Sequence, residues 1–348
     1  MKLASYVHSG SNRIGAVSES AIIDLSGLHR FLASRPGSRF SANNALPGTM
    51  KELIDLDQPW LKIAEQMLLE AGSLSRDELF SKGLMTPLAD CTLRLPVPDP
   101  SQIIGILLNY DESVAESKRD VLEIPTLFMR SAKSLAASGE AIIRPAVSEM
   151  LDWRGGLAVI IGRTARHVPH EKAMDYVAGY ASFNDGAVRD WQHATNQIMV
   201  GKNFYKSGGF GPWITTRDAA PPITNINLST RLNGELKQSI NTSQMLMSVA
   251  KLISYISAYT PLEPGDVIVT GSPSGTGARQ KPQRWLREGD VISVELEGLG
   301  VLENPVKDEI EPVAGCFQTW RVPEIYNERH RADLAANRHF SSPHLMKK

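Results

Sequence analysis

The chain has 348 residues, a length that fits one large or two modest domains. Of these residues 42% are hydrophobic and 22% are charged, which is typical of a globular protein and excludes a disordered chain. Lys and Arg (37) nearly balance Asp and Glu (38), and the net charge of −1 argues against a nucleic acid or a membrane surface as a partner held by bulk electrostatics. No apolar run approaches the roughly 20 residues that a membrane span requires.

The first 95 residues predict a small α/β domain. Apolar runs there predict three short strands, over 2–7, 13–17 and 21–24. A stretch rich in Pro, Gly, Ser and Asn over 34–49 is typical of a loop, and apolar residues at helical spacing predict a helix over 60–69. Three prolines then fall close together, Pro96, Pro98 and Pro100. Because proline continues neither a helix nor a central strand, we place a domain boundary at 95–101.

From residue 100 to 325 the sequence predicts a mixed, mainly β domain. Its strand patterns are apolar or alternating runs, over 103–108, 157–161, 291–296 and 301–306. Helical spacing predicts one long helix over 241–259, and Asn241 and Gln244 resemble a capping box at its start. We interpret 326–348 as a polar C-terminal tail, and its three histidines as terminal residues rather than metal ligands, namely His330, His339 and His344.

Neither cysteine nor glycine patterns point to a bound metal or nucleotide. Cys91 and Cys316 have no spacing typical of a zinc site or a disulfide framework. The glycine-rich turn over 270–277 follows a strand pattern but lacks the spacing that binds dinucleotides or nucleotide phosphates. The N-terminus also lacks the apolar stretch of a signal peptide, so we expect a cytoplasmic protein that acts on a small molecule.

Five stretches of the mainly β region combine glycines with charged and amide residues. They read NDxxxRDxQ from 184, GKxF…GPW from 201, LNGE…NTS from 232, LEPGDVIVTGSPSG from 262 and EGLG…NP from 297. In this order, from residue 100 to about 310, they resemble the fumarylacetoacetate hydrolase family. The resemblance implies a β-sandwich roll with a smaller N-terminal α/β domain, usually assembled as a homodimer, and an active site in a metal-bearing cleft.

The resemblance also implies a Mg²⁺ or Mn²⁺ site, formed by a Glu-x-Glu pair on a strand and the Asp of the Asn-Asp stretch. Alternate strand residues share a face, so two carboxylates at this spacing can hold one hard cation. In this chain the two glutamate positions match Arg154 and Gly156, and only Asp185 matches the third ligand. A single carboxylate beside an arginine is a poor Mg²⁺ site, so we expect no metal cofactor.

A second departure concerns the residues that activate water. The resemblance implies a His-x-x-Glu pair after the first core strand, and its histidine matches Ser113 while its glutamate matches Glu116. Serine is no general base at neutral pH, and it becomes a nucleophile only with a base to activate it. We keep both residues as catalytic candidates, with a plain hydrogen-bonding role as the alternative for Ser113.

The substrate-holding residues of the family persist. The resemblance assigns substrate contacts to Arg130, Gln192, Lys202, Tyr110 and Thr270. Arg130 stands where the family usually has a lysine, so the positive charge is kept, and Lys202 is a catalytic candidate as well. We predict that these residues line one pocket for a small anionic ligand of the oxo-acid type.

Three functions are compatible with these residues. The first is an enzyme that acts on a small β-diketo or 2-oxo acid by stabilising an enolate or carbanion, in C–C bond cleavage, decarboxylation or isomerisation, without the usual metal. The second is a conventional metal-dependent C–C hydrolase with relocated ligands, drawn from Asp111, Glu112, Glu149 and Asp152. The third is a non-catalytic small-molecule-binding protein. We favour the first, because loss of the histidine disfavours hydrolysis and a fixed cation can stabilise oxyanion charge in a dry cleft.

Arg154, at a position where the family has a metal-binding glutamate, leads to the most specific prediction. A buried carboxylate needs a partner, and a guanidinium offers permanent charge and two parallel donors. We therefore predict that Arg154 pairs with Asp185 in place of the metal ion and presents positive charge to a substrate oxygen. Glutamates at positions 154 and 156 are expected to begin to restore metal affinity.

Overall fold

The computed structural model describes residues 1–41, 45–117, 123–195 and 197–310. Within these ranges the chain is mainly β, as the sequence predicts. The strands are β1 (Lys2–His8), β2 (Ser11–Ser18), β3 (Ala21–Asp24), β4 (Met85–Pro87), β5 (Thr92–Leu93), β6 (Ile103–Leu107), β7 (Thr126–Arg130), β8 (Leu135–Ala136), β9 (Ile142–Arg144), β10 (Leu151–Asp152), β11 (Gly155–Ile161), β12 (Val177–Asn184), β13 (Ala187–Val188), β14 (Gly208–Thr216), β15 (Asn227–Leu232), β16 (Glu235–Asn241), β17 (Val267–Val269), β18 (Val291–Leu296) and β19 (Gly300–Asp308).

Most of the helices are short. They are α1 (Leu25–Ala33), α2 (Met50–Leu53), α3 (Trp60–Ala71), α4 (Arg76–Ser81), α5 (Asp111–Ser117), α6 (Arg189–His193), α7 (Met199–Lys202) and α8 (Val249–Tyr259). Helix α3 confirms the helix predicted over 60–69. The predicted tail over 326–348, with its histidines, lies outside the described residues.

The strands of the first 95 residues extend the main sheet. This 12-stranded sheet has the order β4-β3-β2-β1-β14-β12-β11-β17-β6-β7, with β5 paired to β1 and β8 paired to β14. Strand β1 joins β14 in antiparallel register, with Lys2 opposite Thr215. Helices α1, α3 and α4 bury a separate apolar cluster against the N-terminal strands. The domain boundary at 95–101 falls between β5 and β6 and remains a prediction.

The main sheet curls back on itself. Strand β7 is last in the order, yet the next strand along the chain, β8, pairs in parallel with β14. This return carries Arg130, at the end of β7, to the end of β12, where its Nη1 donates to the carbonyl of Gly186 at 2.9 Å. The curl is the roll that the family resemblance implies, and it brings distant segments together at one place.

A second sheet, with the order β16-β15-β18-β19-β9, packs against the first. One apolar cluster joins residues of both sheets and of α8, among them Leu157, Val159, Leu228, Val294 and Ile253. The predicted alternation over 291–296 is confirmed, because Val294 is buried while Glu295 is exposed. Two apolar faces thus close over one core, as in a β-sandwich.

The helix predicted over 241–259 is wrong at its start. Residues Thr242–Gln244 form a 3₁₀ turn, and α8 begins only after Ser248, whose side chain accepts from the N–H of Lys251 at 3.2 Å. The reason is a competing partner: the N–H of Met247 donates to Oδ1 of Asn109 at 2.8 Å. This bond holds Met247 outside the helix.

We predict that Asn109→Ala lowers the free energy of unfolding by about 2–4 kcal/mol, because it leaves several buried backbone groups unpaired. Besides accepting from Met247, the buried Asn109 amide donates to the carbonyls of Met247 at 3.0 Å and Thr270 at 2.8 Å. Urea unfolding measures the change. The exposed Asn227→Ala is the control, expected to stay within about 0.5 kcal/mol; equal losses in both variants would contradict the role of Asn109.

Candidate active site

The register of β11 against β12 places Arg154 beside Asp185. Gly155 lies opposite Asn184, so residues 154 and 185 come next in the ladder. The N–H of Asp185 donates to the carbonyl of Arg154 at 2.7 Å, while the N–H of Arg154 donates to the side chain of Asn184 at 2.9 Å. Strand backbone therefore fixes the positions of Arg154 and Asp185.

Three cationic side chains converge on the Asp185 carboxylate. Nη1 of Arg130 donates to its Oδ1 at 2.6 Å, and Nζ of Lys202 donates to its Oδ2. Nε of Arg154 lies 3.8 Å from the same Oδ2. We call these four residues the cationic cluster. The predicted ion pair of Arg154 with Asp185 is present, but it is the longest of the three ion pairs. Arg130 and Lys202 donate the direct hydrogen bonds to the carboxylate.

Both of the directly bonded cations are fully buried and held by further hydrogen bonds. Arg130 donates to the hydroxyls of Ser134 at 3.0 Å and Ser207 at 3.2 Å, and Lys202 donates to the backbone carbonyl of Asp185 at 2.9 Å. The Arg154 side chain is 11% exposed, against 0% for the other two. Arg154 is thus the cation of the cluster that meets solvent.

Burial and charge shift the pKa values of the cluster. Burial lowers the pKa of Lys202 well below its usual range, and although the charge of Asp185 opposes this shift, Arg154 and Arg130 add to it. Burial alone would raise the pKa of the Asp185 carboxyl, but Lys202, Arg130 and Arg154 outweigh it and hold that pKa below its usual range. The carboxylate therefore stays ionised at neutral pH.

Lys202 reaches Asp185 because α7 packs closely against α6. A Cβ at Gly201 would lie 2.5 Å from Cβ of Gln192, so only glycine permits this approach. Oε1 of Gln192 accepts from Arg189 at 3.2 Å. Gln192 thus supports the helix that carries Lys202, and its predicted substrate contact remains a prediction.

The other predicted site residues make separate contacts. Ser113 donates to the carbonyl of Ser272 at 2.7 Å, and Thr270 donates to that of Leu157 at 3.4 Å. Tyr110 is fully buried, and burial raises its pKa, so its phenol stays protonated. Glu116 lies in α5, and its side chain is outside the described part of the structure. The catalytic and substrate roles given to these residues remain predictions.

The residues present do not fit the divalent metal that the family resemblance implies. Both Asp185 oxygens already accept from cations, and Arg154 stands at one of the other ligand positions. Of the proposed substitutes, Asp152 is buried and paired with Arg189 at 2.7 Å, while Asp111, Glu112 and Glu149 are exposed. In the described ranges no group of three His, Cys, Asp or Glu residues could hold a metal ion.

Position 156 has no room for a side chain. A Cβ there would lie 2.6 Å from the carbonyl oxygen of Gly271, in the loop that follows β17. A glutamate at 156 would have to displace that backbone. This steric conflict disfavours the double glutamate variant, and its effect on metal affinity remains a prediction.

Gln238 positions the backbone around the site, and the sequence did not predict this role. Its Oε1 accepts from the N–H of Gly155 at 2.8 Å, and its Nε2 donates to the carbonyls of Pro273 at 2.9 Å and Ser274 at 3.0 Å. One buried amide thus ties the strand beside Arg154 to the 272–274 loop. The available signal was its position on the same face of β16 as the buried Ile240, where a polar side chain needs a partner.

The curled main sheet, packed against a second sheet and carrying buried charged residues at the ends of its strands, defines a β-sandwich roll. The family profile described as fumarylacetoacetate (FAA) hydrolase C-terminal matches residues 102–307. The chain belongs to the fumarylacetoacetate hydrolase family.

Relatives and solved structures agree with this assignment. The chain is 34% identical over 263 residues to the rat (Rattus norvegicus) protein named oxaloacetate tautomerase Fahd2a, mitochondrial, covering 75% of this chain and 80% of that one. It matches the structure of a fumarylacetoacetate hydrolase from Exiguobacterium antarcticum at 30% identity and a TM-score of 0.70, covering 89% of this chain and all of that one. A maleylpyruvate hydrolase from Sphingobium sp. SYK-6, in complex with manganese(II) ion and pyruvate, matches at 26% identity and 0.69, with the same coverage.

None of the helices in the described ranges is long and apolar enough to cross a membrane. The cytoplasmic location remains a prediction, since the name of the rat relative gives that protein a mitochondrial location.

We predict that Asp185→Asn lowers the free energy of unfolding by about 3–5 kcal/mol at neutral pH, because it leaves buried cations without their carboxylate. Wild-type Asp185 has a lowered folded pKa, so its contribution is complete above about pH 3.9 and is lost as the pH falls below it. The gap between wild type and variant should therefore shrink in acid. Urea unfolding between neutral and acidic pH measures it.

The control for this variant is Asp175→Asn, which removes the carboxylate of an exposed pair with Arg217 at 3.3 Å. It should change the free energy of unfolding by less than about 1 kcal/mol. If Asp185→Asn were as stable as this control, Asp185 would not be the anion that balances the cluster.

Proposed function

We propose that this chain is an enzyme that binds a small dianionic 2-oxo acid of the oxaloacetate class and catalyses its keto–enol isomerisation by stabilising the enolate. The observation that carries the proposal is the charge of the site. Arg130 and Lys202 are fully buried, and among the described side chains they share one carboxylate, that of Asp185. Arg130 and Arg154 alone outnumber this carboxylate, so the site holds more positive than negative charge whether or not Lys202 is protonated.

Surplus buried charge is unfavourable unless a counter-ion joins it. A dicarboxylate supplies that charge, and Arg154, as the cation that meets solvent, is the first group it reaches. A guanidinium binds a carboxylate through two parallel hydrogen bonds, so Arg154 can orient the ligand as well as attract it.

Isomerisation moves one proton from the carbon beside the carbonyl group to the carbonyl oxygen. The carbon–hydrogen bond breaks, its electron pair forms the enolate, and negative charge develops on the oxygen. Cations fixed in a buried site stabilise that charge without having to reorganise. The cluster is therefore suited to an enolate more than to the neutral ketone.

We assign the proton transfer of this isomerisation to Nζ of Lys202. Two of its N–H directions go to the carboxylate and carbonyl of Asp185, which leaves one direction for a ligand. Burial lowers the pKa of this amine, and a base works best when its pKa lies near the working pH. The neutral amine takes the proton from carbon and returns it to the enolate oxygen.

The relatives support the substrate class. The rat relative is named as an oxaloacetate tautomerase, and the Sphingobium hydrolase holds pyruvate in its structure. Isomerisation is favoured over hydrolysis, because Ser113 stands where the family has its histidine and donates to the carbonyl of Ser272. The homodimer and the cytoplasmic location that we expect belong to this proposal; light scattering tests the first.

We predict that the protein accelerates the equilibration of keto and enol oxaloacetate, followed by ultraviolet absorbance, and that Arg154→Ala lowers kcat/KM by about 100-fold or more. Arg154→Lys should recover part of the loss, because it keeps the charge but not the fork. Arg144→Ala, which breaks a pair with Asp308 outside the cluster, is the control and should leave the rate unchanged.

Three outcomes would contradict the proposal. Equal rates in wild type and Arg154→Ala would show that Arg154 does not contribute to the reaction. Release of carbon dioxide or of a cleavage product at the rate of enol formation would replace isomerisation by decarboxylation or C–C cleavage. Tight binding of oxaloacetate without turnover would make the chain a binding protein.

A further inference from the structure

We infer that the cationic cluster occupies the place of the divalent metal ion and turns this site from a cation site into an anion site that works without Mg²⁺ or Mn²⁺. The inference concerns which ions the site binds, so it goes beyond the proposed reaction and does not depend on it. A solved relative holds manganese together with pyruvate, and the question is what this chain offers in that ion's place.

The Asp185 carboxylate is already hydrogen-bonded on both oxygens. A carboxylate binds a metal ion through oxygen lone pairs, but Oδ1 of Asp185 accepts from Arg130 at 2.6 Å and Oδ2 accepts from Lys202. Both of these side chains are fully buried beside the carboxylate. A divalent ion bound to the lone pairs that remain would lie beside the like charges of Arg130 and Arg154.

Arg154 adds a positive charge beside this carboxylate. The backbone places Arg154 next to Asp185 in the β11–β12 ladder, and its Nε lies 3.8 Å from Oδ2. Its guanidinium is permanently charged and offers donors only. The guanidinium of Arg154 therefore attracts the carboxylate or enolate oxygen of a ligand directly. A metal ion acts on such an oxygen in the same way as a Lewis acid.

Gly156 has no space beside it for a side chain. The carbonyl of Gly271 would lie 2.6 Å from a Cβ at this position, and Gln238 holds the neighbouring loop through Pro273 and Ser274. The backbone has closed over the position of the second glutamate. The loss of the metal ligands is thus built into the packing as well as into the side chains.

The test measures ion binding by the intact protein, with oxalate as the smallest dicarboxylate and Mn²⁺ alone as the metal. Calorimetry in excess EDTA should detect oxalate binding to the wild type, and Mn²⁺ without oxalate should give no saturable binding. Arg154→Glu should weaken oxalate binding by about 100-fold, as expected when a charge pair at a buried site is reversed. Arg144→Glu, which alters the arginine of an Arg–Asp pair outside the cluster, should leave oxalate binding unchanged.

Oxalate binding that is lost in EDTA and restored by Mn²⁺ would overturn the inference, and so would saturable Mn²⁺ binding that Asp185→Asn abolishes. If Arg154→Glu fails to fold, as circular dichroism would reveal, Arg154→Gln removes the charge without adding a carboxylate and should weaken oxalate binding in the same direction. Unchanged binding in a folded Arg154→Gln variant would also overturn it.

Failure of the inference and failure of the proposed function give different results. A protein that binds oxalate in EDTA but does not isomerise oxaloacetate retains the anion site and loses the reaction. A protein that isomerises oxaloacetate only with added Mn²⁺ retains the reaction and loses the metal-free site.

Discussion

The structure around the site depends on one constraint: the buried negative charge of Asp185 must be balanced by positive charge. The β11–β12 ladder fixes where the carboxylate stands, the curl of the main sheet carries Arg130 to it, and the contact between α6 and α7 carries Lys202. Each of these features satisfies hydrogen bonds of the same carboxylate. An ion pair of this kind contributes little net stability against an apolar replacement but strongly penalises loss of one partner. Asp185 therefore specifies the arrangement of three distant segments.

The sequence predicts the parts of this arrangement that depend on local pattern or family motif. The alternation over 291–296 and the helix from residue 60 are local, and Lys202, Arg130 and Asp185 are found through the motifs. What it misses are contacts between segments far apart in the chain. Asn109 bonds to Met247, just before α8 and 138 residues later in the chain. The bond of Arg130 to Asp185 follows from the curl, and that of Lys202 from the contact between α6 and α7. No periodicity encodes such contacts, because they depend on how completed elements pack.

Gln238 and Gly156 show why a substituted ligand position is hard to interpret from the sequence. A glycine in place of a glutamate suggests empty space, yet a carbonyl oxygen occupies it. The amide of Gln238 holds that loop close, and the same amide accepts from the residue after Arg154. The side chains at positions 154 and 156 and the position of the loop that follows β17 therefore depend on one another. Arg154, Gly156 and this closed loop are sterically compatible.

The join between β1 and β14 affects how the protein can be divided. The family profile begins at residue 102, but β14 lies between β1 and β12, and β12 ends beside Asp185. A fragment cut at the profile boundary would leave one side of β14 with unpaired N–H and carbonyl groups. An uncovered strand edge of this kind pairs readily with other chains. Residues of β1 thus cover part of the edge of β14, in the sheet that carries the site.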